Sequence, residues 1–254
     1  AERAAHQLRA RIGRDLAAAE PRLSLAPAAP NHRLLFIILL APLGLVIFPT
    51  YALLALLLRR RELHDRVETV DDPPLPVEQL NALHAIEDNV VQNQLTHLAT
   101  IKPGRLRRFA LRFVLWVVDL LARFVYNQGH LGGITTIHFA RWLLLDDGRL
   151  LFLSNYDGSW ESYLGEFVDR AHIGLTGVWS HTEGFPRSRW MILDGATDEE
   201  AFKRWTRRCQ LPTQVWYSSY PASSIDNIRN AIAVREGLNA HLGEKECRAW
   251  LTRL

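Results

Sequence analysis

The chain has 254 residues, 48% of them hydrophobic, and a formal net charge of +3, which leaves room for one sizeable globular domain with additions. No zinc-finger spacing, RNP motif or basic–aromatic interleaving is present, so nucleic acid is excluded as a partner. The two cysteines, Cys209 and Cys247, form no C-x-x-C pair and are expected to be free thiols of a reducing compartment.

Ala1 to Glu20 is rich in Ala, Arg and Leu and predicts a short amphipathic helix, ended by Pro21, Pro27 and Pro30. Leu34–Leu58 contains no charged residue. A helix of that length spans about 37 Å, enough to cross a bilayer core. Pro42, Gly44 and Pro49 allow a kink or a re-entrant hairpin instead. Arg59, Arg60 and Arg61 follow at once. Arginines beside apolar stretches make membrane lipid an expected partner, and the positive-inside tendency places the following domain in the cytoplasm. Glu62 to Pro76 predicts a charged, then Pro-rich linker, and Val77 to Asp88 a short helix.

Val91 to Ile101 predicts a strand, stopped by Lys102-Pro103-Gly104. The helix expected from Arg105 to Tyr126 carries Arg108, Arg112, Asp119 and Arg123 on a stripe about 60° wide. Its remaining surface is apolar and calls for a sheet, another subunit or lipid to cover it. Thr135 to Leu145 and Arg149 to Tyr156 predict a hairpin across Asp146-Asp147-Gly148. Ser159 is the expected N-cap of a helix ending near Ala171. Thr176 to Ser180, Ser188 to Leu193 and Val215 to Tyr220 are further strand candidates. Helices are expected over Asp198 to Cys209 and Ser223 to Gly237.

The order from Val91 to Leu193 is β-α-β-β-α-β. That is an α+β, ferredoxin-like arrangement with extra C-terminal α/β elements, preceded by one transmembrane or re-entrant helix. The expected organisation is an arm (1–33), an anchor (34–58), a linker with a short helix (59–90), the α+β domain (91–240) and a tail (241–254). The stretches THLATIKPG, IHFARWLLLDDGRLLFLSNYDGSWESYL and GFP resemble the dimeric α+β barrel superfamily, to which chlorite dismutases and dye-decolourising peroxidases belong. In those peroxidases a G-x-x-D-G motif supplies an acid on the distal side of haem. Here Asp157 and Gly158 match it, and Ser154 stands where the first glycine would be.

The resemblance implies haem as a possible cofactor, which needs an axial imidazole with a polar partner behind it. His138, mid-strand among apolar residues, His97 on the preceding strand, His181 and His172 are the candidates, and Asp157 is the candidate acid. Arg141 is expected to be buried against Glu161 or Asp157, or to hold an anion. His138 and Trp142 should share one face of their strand, and Phe139, Arg141 and Leu143 the other. The histidines do not cluster at metal-ligand spacing, and no Walker A, G-x-S-x-G or H-E-x-x-H motif occurs. The first functional reading is therefore a membrane-anchored binding or accessory protein, without catalysis, that docks a protein partner or a second copy. A haem-dependent, peroxidase-like enzyme and a lipid or apolar-ligand module are the alternatives.

Overall fold

The computed structural model describes residues 52–67, 69, 72–126, 133–240 and 242–254, together with residues 7, 10 and 11. The chain forms two compact units. One comprises Ala29–Ala222, and the other combines Ala1–Ala28 with Ser223–Leu254.

In the larger unit, the elements are helix α1 (52–62), α2 (Val77–His84), β1 (Gln92–Thr100), α3 (Arg105–Phe124), β2 (Ile137–Leu144), β3 (Arg149–Asp157), α4 (Trp160–Trp179), the two-residue strands β4 (Ser188–Arg189) and β5 (Leu193–Asp194), and α5 (Glu199–Cys209). The protein is α+β. Three strands form one antiparallel sheet in the order β1-β3-β2, so β1 and β2 run parallel with β3 between them.

Alternation decides the faces of the sheet. Leu95, His97, Ala99, Leu150, Phe152 and Tyr156 point inward. They meet Leu111 of α3 and the buried side of α4 in one core. Tyr156 and Tyr163 stack with centroids 3.9 Å apart, and Phe152, Phe167, Trp179 and Trp205 continue the aromatic layer. On β2, Trp142 packs toward that core, whereas Phe139, Arg141 and Leu143 are exposed. Ser159 caps α4 by accepting a hydrogen bond from the Ser162 amide.

Three expected strands turn out otherwise. Thr176 to Ser180 continues α4, past a single non-helical residue at Ala171. Leu175, Val178 and Trp179 stand at i, i+3 and i+4 and bury one face of the last turns. Ser188 to Leu193 is a tight hairpin whose central residues, Trp190 and Met191, both have φ of 59°. Val215 to Tyr220 forms no ladder. The chain just before it runs along the edge of β1, where the Leu211 amide donates to the Thr96 carbonyl and Thr213 bonds the Thr96 and Gln94 side chains.

No helix among the described residues is long and apolar enough to cross a membrane. This corrects the expected placement at a membrane. Residues 34–51 lie outside the described residues. Residues 52–58 belong to α1, which runs on through the three arginines to Glu62. Leu58 is buried against Ala110 and Met191. Glu62 is also buried, and its carboxylate accepts from Ser188 Oγ at 2.5 Å and from the Trp190 and Met191 amides at 2.9 and 2.8 Å. A left-handed φ costs a residue with a Cβ about 1–3 kcal/mol and persists only where the surroundings hold it. Glu62 supplies that hold.

In the smaller unit, α6 (Ile225–Asn239) and α7 (Glu244–Leu251) form a helical pair. Trp250 donates its indole N–H to the Val234 carbonyl at 2.9 Å and lies on Gly237, where a Cβ would stand 2.1 Å from the ring.

Candidate functional site

Behind the end of β1 lies an open cavity of about 1000 Å³, built from several parts of the larger unit. One wall is the end of α1 and the segment after it, with Arg60, Arg61, Asp65 and Arg66. The facing wall is the loop after β1 and the first turn of α3, with Lys102, Pro103 and Arg107; α5 contributes Trp205 and Arg208, and the loop after α4 contributes Glu183 and Gly184. Six basic side chains (Arg60, Arg61, Arg66, Lys102, Arg107, Arg208) stand here against the carboxylates Asp65, Asp72 and Glu183.

Sequence places these groups by simple means. Lys102-Pro103-Gly104 ends β1, because proline cannot continue the ladder and Gly104 turns the chain with φ of 112°. The helix that follows starts at once. Its first turn holds no acid, and no side chain caps its amides. Helix α3 therefore presents an uncapped positive end at the cavity wall, next to Arg105 and Arg107. A Cβ at Gly104 would stand 2.6 Å from Arg61 Nη1, so the glycine leaves room for that guanidinium to cross from one wall to the other.

At the deepest point two buried cations share one carboxylate. Arg107 Nη2 donates to both Asp65 oxygens, at 2.9 and 2.7 Å, and Lys102 Nζ donates to Asp65 Oδ2 at 2.9 Å. Lys102 also donates to the Ser180 carbonyl at 2.8 Å. The Arg107 side chain is 2% exposed and the Lys102 side chain 9%. Arg107 Nη1 is buried without a hydrogen-bond partner. Burial pulls Lys102 below the ordinary lysine value, and its hydrogen bond to Asp65 works against that pull. The trio carries one excess positive charge. His181 sits beside it, with its backbone carbonyl accepting from the Lys102 amide at 2.9 Å. Burial first, then Arg107 and Lys102, drive His181 down to about 3, so it adds no charge.

The expected site residues are elsewhere. His138 and Asp157 do come together, Nε2 to Oδ1 at 2.7 Å, with His138 at a β-bulge in the β2–β3 register. His97 does not face His138, because β3 lies between their strands. It is wedged between Trp179 and Trp205, centroids 4.6 and 4.7 Å away, with both ring nitrogens unpartnered, and burial drives it down to about 3. The space that it lines is about 10 Å³, room for one water. His172 bonds the Val168 carbonyl of its own helix. Arg141 is exposed on β2, and no ion pair to it occurs among the described residues, which corrects the expected buried pair. The outward face of an edge strand leaves its guanidinium in water.

A haem does not fit at His97, which is enclosed by rings with about 10 Å³ beside it, or at His181, which is 2% exposed. His138 has a carboxylate partner, and no step through a haem is derived. Among the described residues no group of three or more His, Cys, Asp or Glu could hold a metal ion.

Asp65, Lys102 and Arg107 were missed in the sequence because the segment holding Asp65 resembled a solvated linker. The available signal was the helix start after Lys102-Pro103-Gly104, with basic residues and no acid where a helix ordinarily takes acids. No known protein family matches the chain, and no curated protein or solved structure matches it significantly.

Proposed function

We propose that this protein is a binding module for a small anion carrying phosphate or carboxylate groups. The single observation behind this reading is the buried Lys102–Asp65–Arg107 trio at the cavity, two cations to one carboxylate. Buried charge is tolerated when it is balanced and hydrogen-bonded, and an excess cation favours an anion beside it. The uncapped start of α3 adds amide donors and the positive end of its dipole, the arrangement that favours phosphate. A guanidinium recognises either group with two parallel hydrogen bonds.

The finer fold reading is a ferredoxin-like plan. The order β1-β3-β2, with α3 and α4 against one face, supports it. Gln210 to Thr213, along the outer edge of β1, takes the place of the fourth strand. The resemblance to the dimeric α+β barrel superfamily agrees with that plan. A second role, docking a protein partner, is favoured by Phe139 and Leu143, which are 68% and 41% exposed on the edge strand β2.

The test is thermal unfolding of the whole chain in phosphate, sulfate and citrate, with chloride at matched ionic strength as reference. The expected result is a midpoint that rises with each multivalent anion, and a rise that vanishes when Lys102 and Arg107 are both replaced by Met. Equal midpoints in all four salts would overturn the reading.

A further inference from the structure

We infer that the ligand is a polyanion, a chain of two or more phosphate groups, that bridges the two walls of the cavity and fastens residues 59–67 to the domain. The inference rests on the anion-binding reading above and adds ligand class and consequence. Its basis is the distribution of charge. Arg60, Arg61 and Arg66 line the cavity from the end of α1 and the segment after it, and Lys102, Arg107 and Arg208 line it from the opposite side. Within the first wall Arg66 pairs with Asp72, and Asp65 reaches across to Lys102 and Arg107, so Arg60 and Arg61 carry the charge that the wall does not balance itself. A single anion seated on Lys102 and Arg107 leaves Arg60 and Arg61 uncompensated, whereas a linear polyanion reaches them as well.

The space agrees. About 1000 Å³ is at the upper end of small-molecule sites and far more than one phosphate fills. Arg61, held against Gly104, already reaches across. The segment's own attachments are mostly polar. They are Asp65 to Lys102 and Arg107, Glu62 to the 188–191 hairpin, and one bridge of Val67 to Gly184. Its apolar anchor is small, with Leu58 on Ala110 and Met191. A strap held mainly by ionic and hydrogen bonds is tightened by an anion placed between its arginines and the domain.

Calorimetric titration of the whole chain with inorganic phosphate, tripolyphosphate and ATP, with hydrogen exchange read at residues 59–67, tests this. Tripolyphosphate should bind at least tenfold tighter than phosphate and slow exchange across 59–67. Replacing Arg60 and Arg61, both exposed, together by Gln should remove most of the advantage of tripolyphosphate over phosphate. ATP equal to tripolyphosphate assigns the phosphate chain alone, and tighter ATP assigns a nucleotide. Either result supports the bridge. Equal affinities for phosphate and tripolyphosphate, insensitivity to the arginine replacements, or faster exchange at 59–67 would overturn the bridge and leave the anion-binding reading standing. Binding of none of the three would remove both.

Discussion

His97 and Arg107 both bury polar nitrogen without a hydrogen-bond partner, and they resolve the problem in opposite ways. His97 lies among tryptophans and sheds its charge: desolvation outweighs everything else, and the ring stays neutral down to about pH 3. Arg107 cannot do this, because a guanidinium does not deprotonate in a protein. It keeps its charge and takes Asp65 as counter-ion, with Lys102 on the same carboxylate. The first site is closed around its histidine, with about 10 Å³ to spare; the second opens on about 1000 Å³. A polar atom walled in by rings is part of the core, whereas one beside an open, charged cavity calls for something from outside.

The sharpest way to break the comparison is to remove the shared counter-ion. Asp65→Asn leaves two buried cations unbalanced and should destabilise the protein by about 3–5 kcal/mol in urea unfolding. Millimolar phosphate should recover part of the loss. The equivalent change in the tryptophan cage, His97→Leu, should show no anion dependence.

Acid separates the sites next. Folded His97 and His181 remain neutral until about pH 3, while in the unfolded chain both take up protons near 6.5. Between those values the unfolded state binds more protons, so stability falls as pH falls, by about 1.4 kcal/mol per pH unit for each histidine. It is fully present above 6.5. Urea midpoints from pH 7 to 4 should show this slope, and His97→Leu should halve it. An unchanged slope would mean that His97 is charged in the fold.

Gly104→Ala bears on the cavity alone. A Cβ there is strained at φ of 112° and displaces Arg61 Nη1. The expected cost is about 1 kcal/mol, with weaker anion binding in calorimetry. The smallest effect belongs to Arg141→Ala. An exposed arginine away from both sites should change stability by less than about 0.5 kcal/mol, and a larger loss in urea would restore the buried pair.

Local signals carried much of the fold. The β2–β3 hairpin followed from alternation on either side of Asp146-Asp147-Gly148, and Ser159 caps α4 as its side chain suggests. What failed was set by contacts distant in sequence. The last turn of α4, from Thr176, suits a strand or a helix by residue type, and its burial against the core decides for the helix. Within the site, Lys102 and Arg107 flank a visible strand stop, but Asp65 lies 37 and 42 positions before them, and no periodicity links such positions. His138 stood out as a mid-strand histidine and Asp157 as the acid of the Asp157-Gly158 match, and the β2–β3 pairing brings the two together.

The hairpin at 188–191 has a consequence for the order in which the chain assembles. Trp190 and Met191 disfavour a left-handed turn, so this hairpin cannot nucleate on its own residues and waits for Glu62, some 126 to 129 positions earlier. During synthesis Glu62 emerges first and stays hydrated until the hairpin has left the ribosome. Loop closure over that separation is slow, and contacts of this kind form after the transition state more often than before it. The joint between residues 59–67 and the hairpin is therefore among the last to form, and it governs the rate of unfolding more than the rate of folding.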